Sequence, residues 1–205
     1  MINRWPDRTF WKSVRLLFFR YSDHNKNGKE RHLIASIALL ALFFACMIYD
    51  LRDRQVPMPL TVGGLVGAGV YALFNGLWAP VLLTIALTHV ADFNPREKRL
   101  AFALTLSAFS AIFQPAAALI CALILGFWVL WEFGILGGAD VKLLIAATLV
   151  LGNPIVLIPI AVSGGIQGVI ASLQKKREIP FVASIFCGTL LLVVYLYFSY
   201  FLGKV

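Results

Sequence analysis

Eight apolar stretches, set off from one another by short gaps, dominate this chain: residues 32–49, 59–75, 79–91, 100–113, 115–131, 141–152, 154–172 and 181–201. They are too continuous for amphipathic surface helices, and they lack the period-two alternation of a β-barrel. A backbone in lipid must satisfy its own hydrogen bonds, so such stretches fold as helices. Composition decides the solvent. Of 205 residues, 60% are hydrophobic and 14% charged, against about 45–50% and 25% in soluble domains. That leaves too little polar surface to clothe a water-soluble particle. It argues against a soluble enzyme, a disordered chain and a nucleic-acid-binding module. At about 20 residues per span, the length fits six to eight spans and no large extramembrane domain. The expected fold is all-α: a polytopic integral membrane helix bundle of six to eight transmembrane helices, multi-pass in the cell membrane. Runs 79–91 and 100–113 fall short of a full span, as tilted, re-entrant or fused segments do.

The net charge is +8, and its placement carries more than its sum. Eight of 18 Lys and Arg precede residue 32: Arg4, Arg8, Lys12, Arg15, Arg20, Lys26, Lys29 and Arg31. Within this basic segment, 1–31, apolar and cationic positions interleave from Trp11 to Arg20, which suits a helix lying among lipid headgroups. Asp23-His-Asn-Lys-Asn-Gly28 reads as a turn, and the transmembrane domain is expected over 32–205. Gaps 50–58, 92–99, 132–140 and 173–180 hold charges. Those at 76–78, around Gln114-Pro115 and at Gly152-Asn-Pro154 hold none. Eight hairpin-connected segments alternate in this way when the charged gaps face the cytoplasm. That arrangement puts the basic N-terminus on the opposite side, against the positive-inside tendency. The expected partners of so basic and apolar a chain are membrane lipids rather than nucleic acid.

Cys46, Cys121 and Cys187 each lie inside an apolar run without paired spacing, and are expected to be small buried hydrophobes. His24, His32 and His89 lack metal-ligand spacing. No metal or organic cofactor is expected. The first apolar run starts too late, behind charged sequence, for a cleavable signal peptide. No internal repeat or low-complexity tract is evident.

Ten acids remain as candidates for chemistry. Asp50 abuts the run ending Phe44-Ala-Cys-Met-Ile-Tyr49. Asp140 opens the run Val141-Lys-Leu-Leu, after Gly137-Gly138-Ala139. Hairpin alternation puts both at the same membrane boundary, and ionisable groups at such depth are costly and mark function. Two carboxyls brought together resist joint ionisation, so one keeps a proton. Such a pair can activate water with one member and protonate a leaving group with the other. The competing reading makes both acids solvated helix caps. Asp53 and Glu132 are expected as solvated loop residues. Tyr49 reads as an interface aromatic. Lys142 supports the charge of Asp140, orients substrate, or reaches the headgroups.

The strings themselves go further. Asp50-Leu-Arg-Asp-Arg-Gln-Val-Pro57 resembles the D-x-R-x-R-x-I-P segment of the prepilin peptidase family. Gly137-Gly-Ala-Asp-Val-Lys-Leu143 resembles its G-x-G-D-x-K-L segment. Glu178-Ile-Pro-Phe181, with Gly188 beyond, is similar to a late I-P-F…G element. All three follow the family's order, over about 50–188. The resemblance implies a membrane aspartic endopeptidase of the prepilin or preflagellin type, with Asp50 and Asp140 as the catalytic pair. It implies cleavage of a leader on the cytoplasmic side of a precursor's hydrophobic helix. It implies supporting roles for Gly137, Gly138, Ala139 and Lys142, the glycines admitting an extended substrate backbone. The chain departs from the pattern at Ala139, where the family has glycine, and in a longer Asp-to-Asp spacing that an inserted hairpin accounts for. It lacks the four-cysteine zinc loop of many bacterial members, so peptidase activity without methyltransferase activity is expected.

Three further readings stay open. Tyr49-Asp50 with Gly137-Gly-Ala-Asp140 also looks like the motif pair of presenilin-type intramembrane proteases, although their later Pro-Ala-Leu motif is absent. A small ion- or proton-coupled transporter would use the two Asp as a relay, with Pro115, Pro154 and Pro159 breaking helices around the site. A membrane scaffold without chemistry would need neither Asp.

Overall fold

A computed structural model describes residues 26–91, 94–152, 157–173 and 181–202. The interfacial stretch 11–20 and Glu178-Ile-Pro180 of the late motif lie outside the described residues. The described residues form eight α-helices, one 3-10 turn at Pro115–Ala117 and no strand. The helices are α1 (Lys26–Asp53), α2 (Met58–Phe74), α3 (Trp78–Val90), α4 (Arg96–Phe113), α5 (Ala118–Glu132), α6 (Gly138–Leu151), α7 (Leu157–Leu173) and α8 (Phe181–Leu202). Each apolar run corresponds to one helix, and runs 79–91 and 100–113 remain separate.

The boundaries differ from expectation where a long apolar run carries its helix into polar sequence. The expected turn over Asp23–Gly28 does not hold at its end, because Lys26, Asn27 and Gly28 are helical. Adding a turn to an existing helix costs far less than nucleating one, and the apolar run beyond supplies the nucleus. The 31/32 division therefore falls inside α1. Likewise Arg96-Glu-Lys-Arg99 forms the first turn of α4, behind Pro95 at the cap. Prolines sit in first turns, at Pro59 in α2 and Pro80 in α3. No backbone donor is lost there, since the first amides have no intrahelical partner.

Helix α6 is the hub. Val141 and the continuous stretch Leu143–Val150 are buried, and α6 packs against α1, α2, α5 and α8. A helix apolar all round is one enclosed by its neighbours. Around it, α8, α1 and α2 pack in turn, α3 and α4 continue toward α5, and α7 packs on the outside of α8.

Polar contacts sort the helix ends into two groups. At one end, Arg96 and Arg99 at the start of α4 hold Glu132 at the end of α5. The end of α1 there meets the starts of α6 and α8 through Asp50. At the other end, Gln114 donates through Nε2 to the Gly76 carbonyl (2.7 Å) and accepts through Oε1 from the Ala79 amide (3.1 Å). Near that end Tyr71 Oη lies 2.6 Å from His32 Nδ1, beside the start of α1. Arg31 thus enters at the end opposite Asp50. The described parts of the charged gaps at 50–58, 92–99 and 132–140 gather at one end, as hairpin alternation requires.

The outer surface is apolar along the helices. Phe74 is 89% exposed, Ile112 73% and Ile158 63%, with Val66, Val162 and Val194 also turned outward. Among the described residues, two stretches are long and apolar enough to cross a membrane, Arg31–Asp53 with 23 residues and Pro115–Glu132 with 18. At 1.5 Å per residue, α3 and α6 span only about 20 Å, short of a hydrocarbon core of about 30 Å.

Candidate active site

Asp50 lies in the last turn of α1 and Asp140 in the first turn of α6. Helix packing of α1 on α6 brings them together, and each carboxyl lies within Coulombic reach of the other. Both are partly buried.

Each carboxyl lies near the start of a helix. Gly137 caps α6, and the Asp140 carboxyl, three residues on, folds back beside it. A carboxyl at the third helical position lies at the positive end of the helix dipole, where negative charge is favoured. A β-carbon built on Gly137 would come 2.9 Å from Asp140 Oδ2. The space expected for a substrate backbone beside residue 137 is taken by this carboxyl. Gly138 is looser, with Trp131 Nε1 3.5 Å from its added β-carbon. Ala139 follows and is half-buried.

Asp50 is held from another helix. The backbone of Val182, near the described start of α8, lies within electrostatic reach of its carboxyl. Arg54 lies close enough for its charge to act on the same group. Arg54 itself ends α1 in a left-handed conformation, φ 52°, its amide donating to the Asp50 carbonyl at 3.1 Å. That conformation normally selects glycine or asparagine and costs an arginine about 1–2 kcal/mol. Asp50 Oδ2 is buried without a hydrogen-bond partner.

No family model, curated protein or solved structure matches the chain.

The other expected site residues are placed differently. Lys142 is half-buried two residues beyond Asp140, and among the described residues it pairs with no carboxylate. Glu132 is not the solvated loop acid expected of it. Its side chain is 7% exposed and accepts from Arg99 Nη2 at 2.5 Å, with Arg96 Nε at 3.7 Å. Arg96 also donates to the Glu132 carbonyl and stacks 4.1 Å over Phe133. This clamp joins the ends of α4 and α5 beside the loop leading to Asp140. Asp53 remains largely exposed, near Arg52. Cys46 and Cys121 are buried as expected, whereas Cys187 faces outward, because α8 turns that face away from α1 and α7. Among the described residues, no three His, Cys, Asp or Glu side chains converge as a metal site would require. Pro115 lies at a helix start rather than breaking a helix, Pro159 lies in the first described turn of α7, and Pro154 is outside the described residues.

Sequence reasoning missed the Val182 backbone and the Arg96–Arg99–Glu132 clamp. The first is a backbone group, which no side-chain motif announces. The second offered a faint signal: two arginines at i, i+3 opening a helix, with one acid ending the next.

Proposed function

We propose that this chain is a membrane aspartic endopeptidase that removes the leader of prepilin-like or preflagellin-like precursors at the cytoplasmic membrane boundary. The observation that carries this reading is the meeting of Asp50 and Asp140, from two separate motifs, at the charged end of the bundle. The helix sides are apolar where a soluble protein would be polar, and monomeric soluble proteins rarely expose continuous apolar surface on this scale. A multi-pass location, with the short helices reaching the hydrocarbon only within the bundle, accounts for that surface.

In this mechanism Asp50 carries the charge and Asp140 the proton. Asp50 takes a proton from water as the hydroxide adds to the scissile carbonyl carbon, while Asp140 gives its proton to the carbonyl oxygen. The resulting gem-diol collapses: Asp140 takes back a proton from one hydroxyl as the carbonyl re-forms, the C–N bond breaks, and Asp50 passes its proton to the leaving amine. The new carboxyl product leaves, and the pair again holds one proton. No acyl-enzyme, metal or organic cofactor is needed for these steps. The basic leader contacts the exposed acids Asp53 and Glu97 rather than Glu132, which its arginines already occupy.

The test is cleavage of a panel of such precursors in membranes by wild type, Asp50→Asn and Asp140→Asn at matched expression. Loss of cleavage in both variants is the expected result. Cleavage surviving in both would end the dyad reading. No cleavage by wild type, with ion flux lost in the same variants, would favour the transporter instead.

A further inference from the structure

We infer that Arg99 is a positioning residue for Asp140, setting the first turn of α6 through Glu132 and the turn that joins α5 to α6. This rests on the peptidase reading and deepens it. From the first turn of α4, the Arg99 guanidinium fastens the ends of two further helices. Its Nη2 donates to Glu132 Oε1 at 2.5 Å, on the last residue of α5. Its Nη1 donates to the carbonyl of Ala91, just past α3, at 3.3 Å. Arg96 donates to the Glu132 carbonyl at 3.0 Å and covers the Phe133 ring. The end of α5 is thus held by side chain and backbone together. The Arg99 side chain is 21% exposed and that of Glu132 7%, so water competes little for the pair. A planar fork serves two separate acceptors, which the point charge of a lysine does not.

From Glu132 the path to Asp140 is short and stiff. Gly134 is left-handed at φ 70°. Its amide donates to the Trp131 carbonyl at 2.8 Å, and the Ile135 amide to the Leu130 carbonyl at 2.9 Å. These two bonds and the left-handed glycine make a Schellman ending for α5. The Leu136 amide turns to the same Leu130 carbonyl at 3.3 Å, and its side chain packs on the core. Gly137 then caps α6, accepting from the Val141 amide at 3.1 Å. Each residue from Phe133 to Gly137 is therefore tied by its backbone to one helix or the other. The core grips α6 from Val141 onward, whereas Gly137 and Gly138 are exposed and Ala139 and Asp140 half-buried. The clamp holds the part of α6 that the core leaves free. A shift of the end of α5 is carried into that first turn, and a misplacement of about 1 Å at a reacting group costs about a hundredfold in rate.

The full-length protein in membranes provides the test. Arg99→Met with Glu132→Leu removes the link without leaving a buried charge unpaired, an exchange that is often neutral for stability. The expected result is kcat lower by about tenfold, KM within about twofold and an unchanged thermal unfolding midpoint. Glu132→Gln keeps an acceptor for Arg99 and should recover most of the rate. Spin labels at Leu51 and Ile135, both exposed, in a background with Cys187→Ser, give a readout apart from cleavage. The distance between them should shift or broaden in the double variant. An unchanged kcat, an unchanged label distance, or a rate that falls only in proportion to folded protein would each overturn the assignment. Asp50→Asn and Asp140→Asn run alongside. If these are inactive while the double variant cleaves at full rate, the positioning role fails and the dyad stands. If they still cleave, the peptidase reading itself fails, and the label distance alone decides whether the clamp sets the turn.

Discussion

A β-carbon at residue 137 would stand 2.9 Å from Oδ2 of Asp140, so the glycine lets this carboxyl fold back onto the start of its own helix. Gly137 has φ −70° and ψ 150°, ordinary extended backbone, so the demand is for space and not for conformation.

Gly137→Ala therefore leaves the fold intact and displaces the Asp140 carboxyl. Cleavage should fall by about tenfold or more, in line with the cost of small misplacements at reacting groups. Gly138→Ala, whose added β-carbon meets Trp131 at ordinary contact distance, should fall by less than about threefold, within the effect of a relaxed contact. Precursor cleavage alongside thermal unfolding of each variant checks this. Full activity in Gly137→Ala would remove the proposed crowding.

Activity should fall on the alkaline side of its pH profile. Two carboxyls that share one proton lose the acid once both ionise, and the macroscopic titration belongs to the pair. A rate still rising well above neutral pH would contradict the shared proton.

Glu132→Ala strips both arginines of their partner in a clamp whose acid is buried and whose Arg96 is about half in solvent. Solvent screening brings the loss below that of a fully buried pair, to about 1–3 kcal/mol. Thermal unfolding should register the loss, and the double variant Arg99→Ala, Glu132→Ala should recover part of it. Strict additivity of the two would show that the pair is not coupled.

Gly188→Val should separate α7 from α8, since the new side chain would meet the Ile160 backbone, which cannot rotate aside. Overpacking of this kind costs about 1–3 kcal/mol. Cysteines placed at Gly164 and Ser184, whose β-carbons would stand 3.8 Å apart, suit a disulfide and would report the α7–α8 contact by cross-linking, and their failure to cross-link would refute it.

Cysteines introduced at Val66, Val162 and Val194, in a background with Cys187→Ser, should resist a membrane-impermeant maleimide in sealed vesicles. A cysteine at Asp53 should react when its side is presented. Reaction at all three valine positions without detergent would defeat the membrane reading.

How much of this was visible in the chain differs by level. Run 181–201 became helix Phe181–Leu202, and 59–75 became Met58–Phe74, because continuous apolar sequence bounded by turn residues has one compact solution. Helix starts were less visible. Lys26 and Arg96 are polar, and they are helical only because the apolar sequence beyond them had already nucleated the turn. Asp50 and Asp140 stood out as acids at the edges of apolar runs. Glu132 looked similar and proved to be structural, since its difference lies in arginines on another helix.

By itself, then, the amino-acid order determined that the described residues are helical, where their eight helices run, and which acids lie at their ends. These are local properties, set by hydrogen bonding and side-chain polarity within a few residues. Only the tertiary structure decided that α6 is enclosed, that Asp50 meets Asp140, and that α8 packs against α1 beside Asp50. Those depend on which apolar faces interdigitate, and at Gly188 on a backbone approach that only glycine permits. Helices equally apolar on every side carry no local mark of their neighbours.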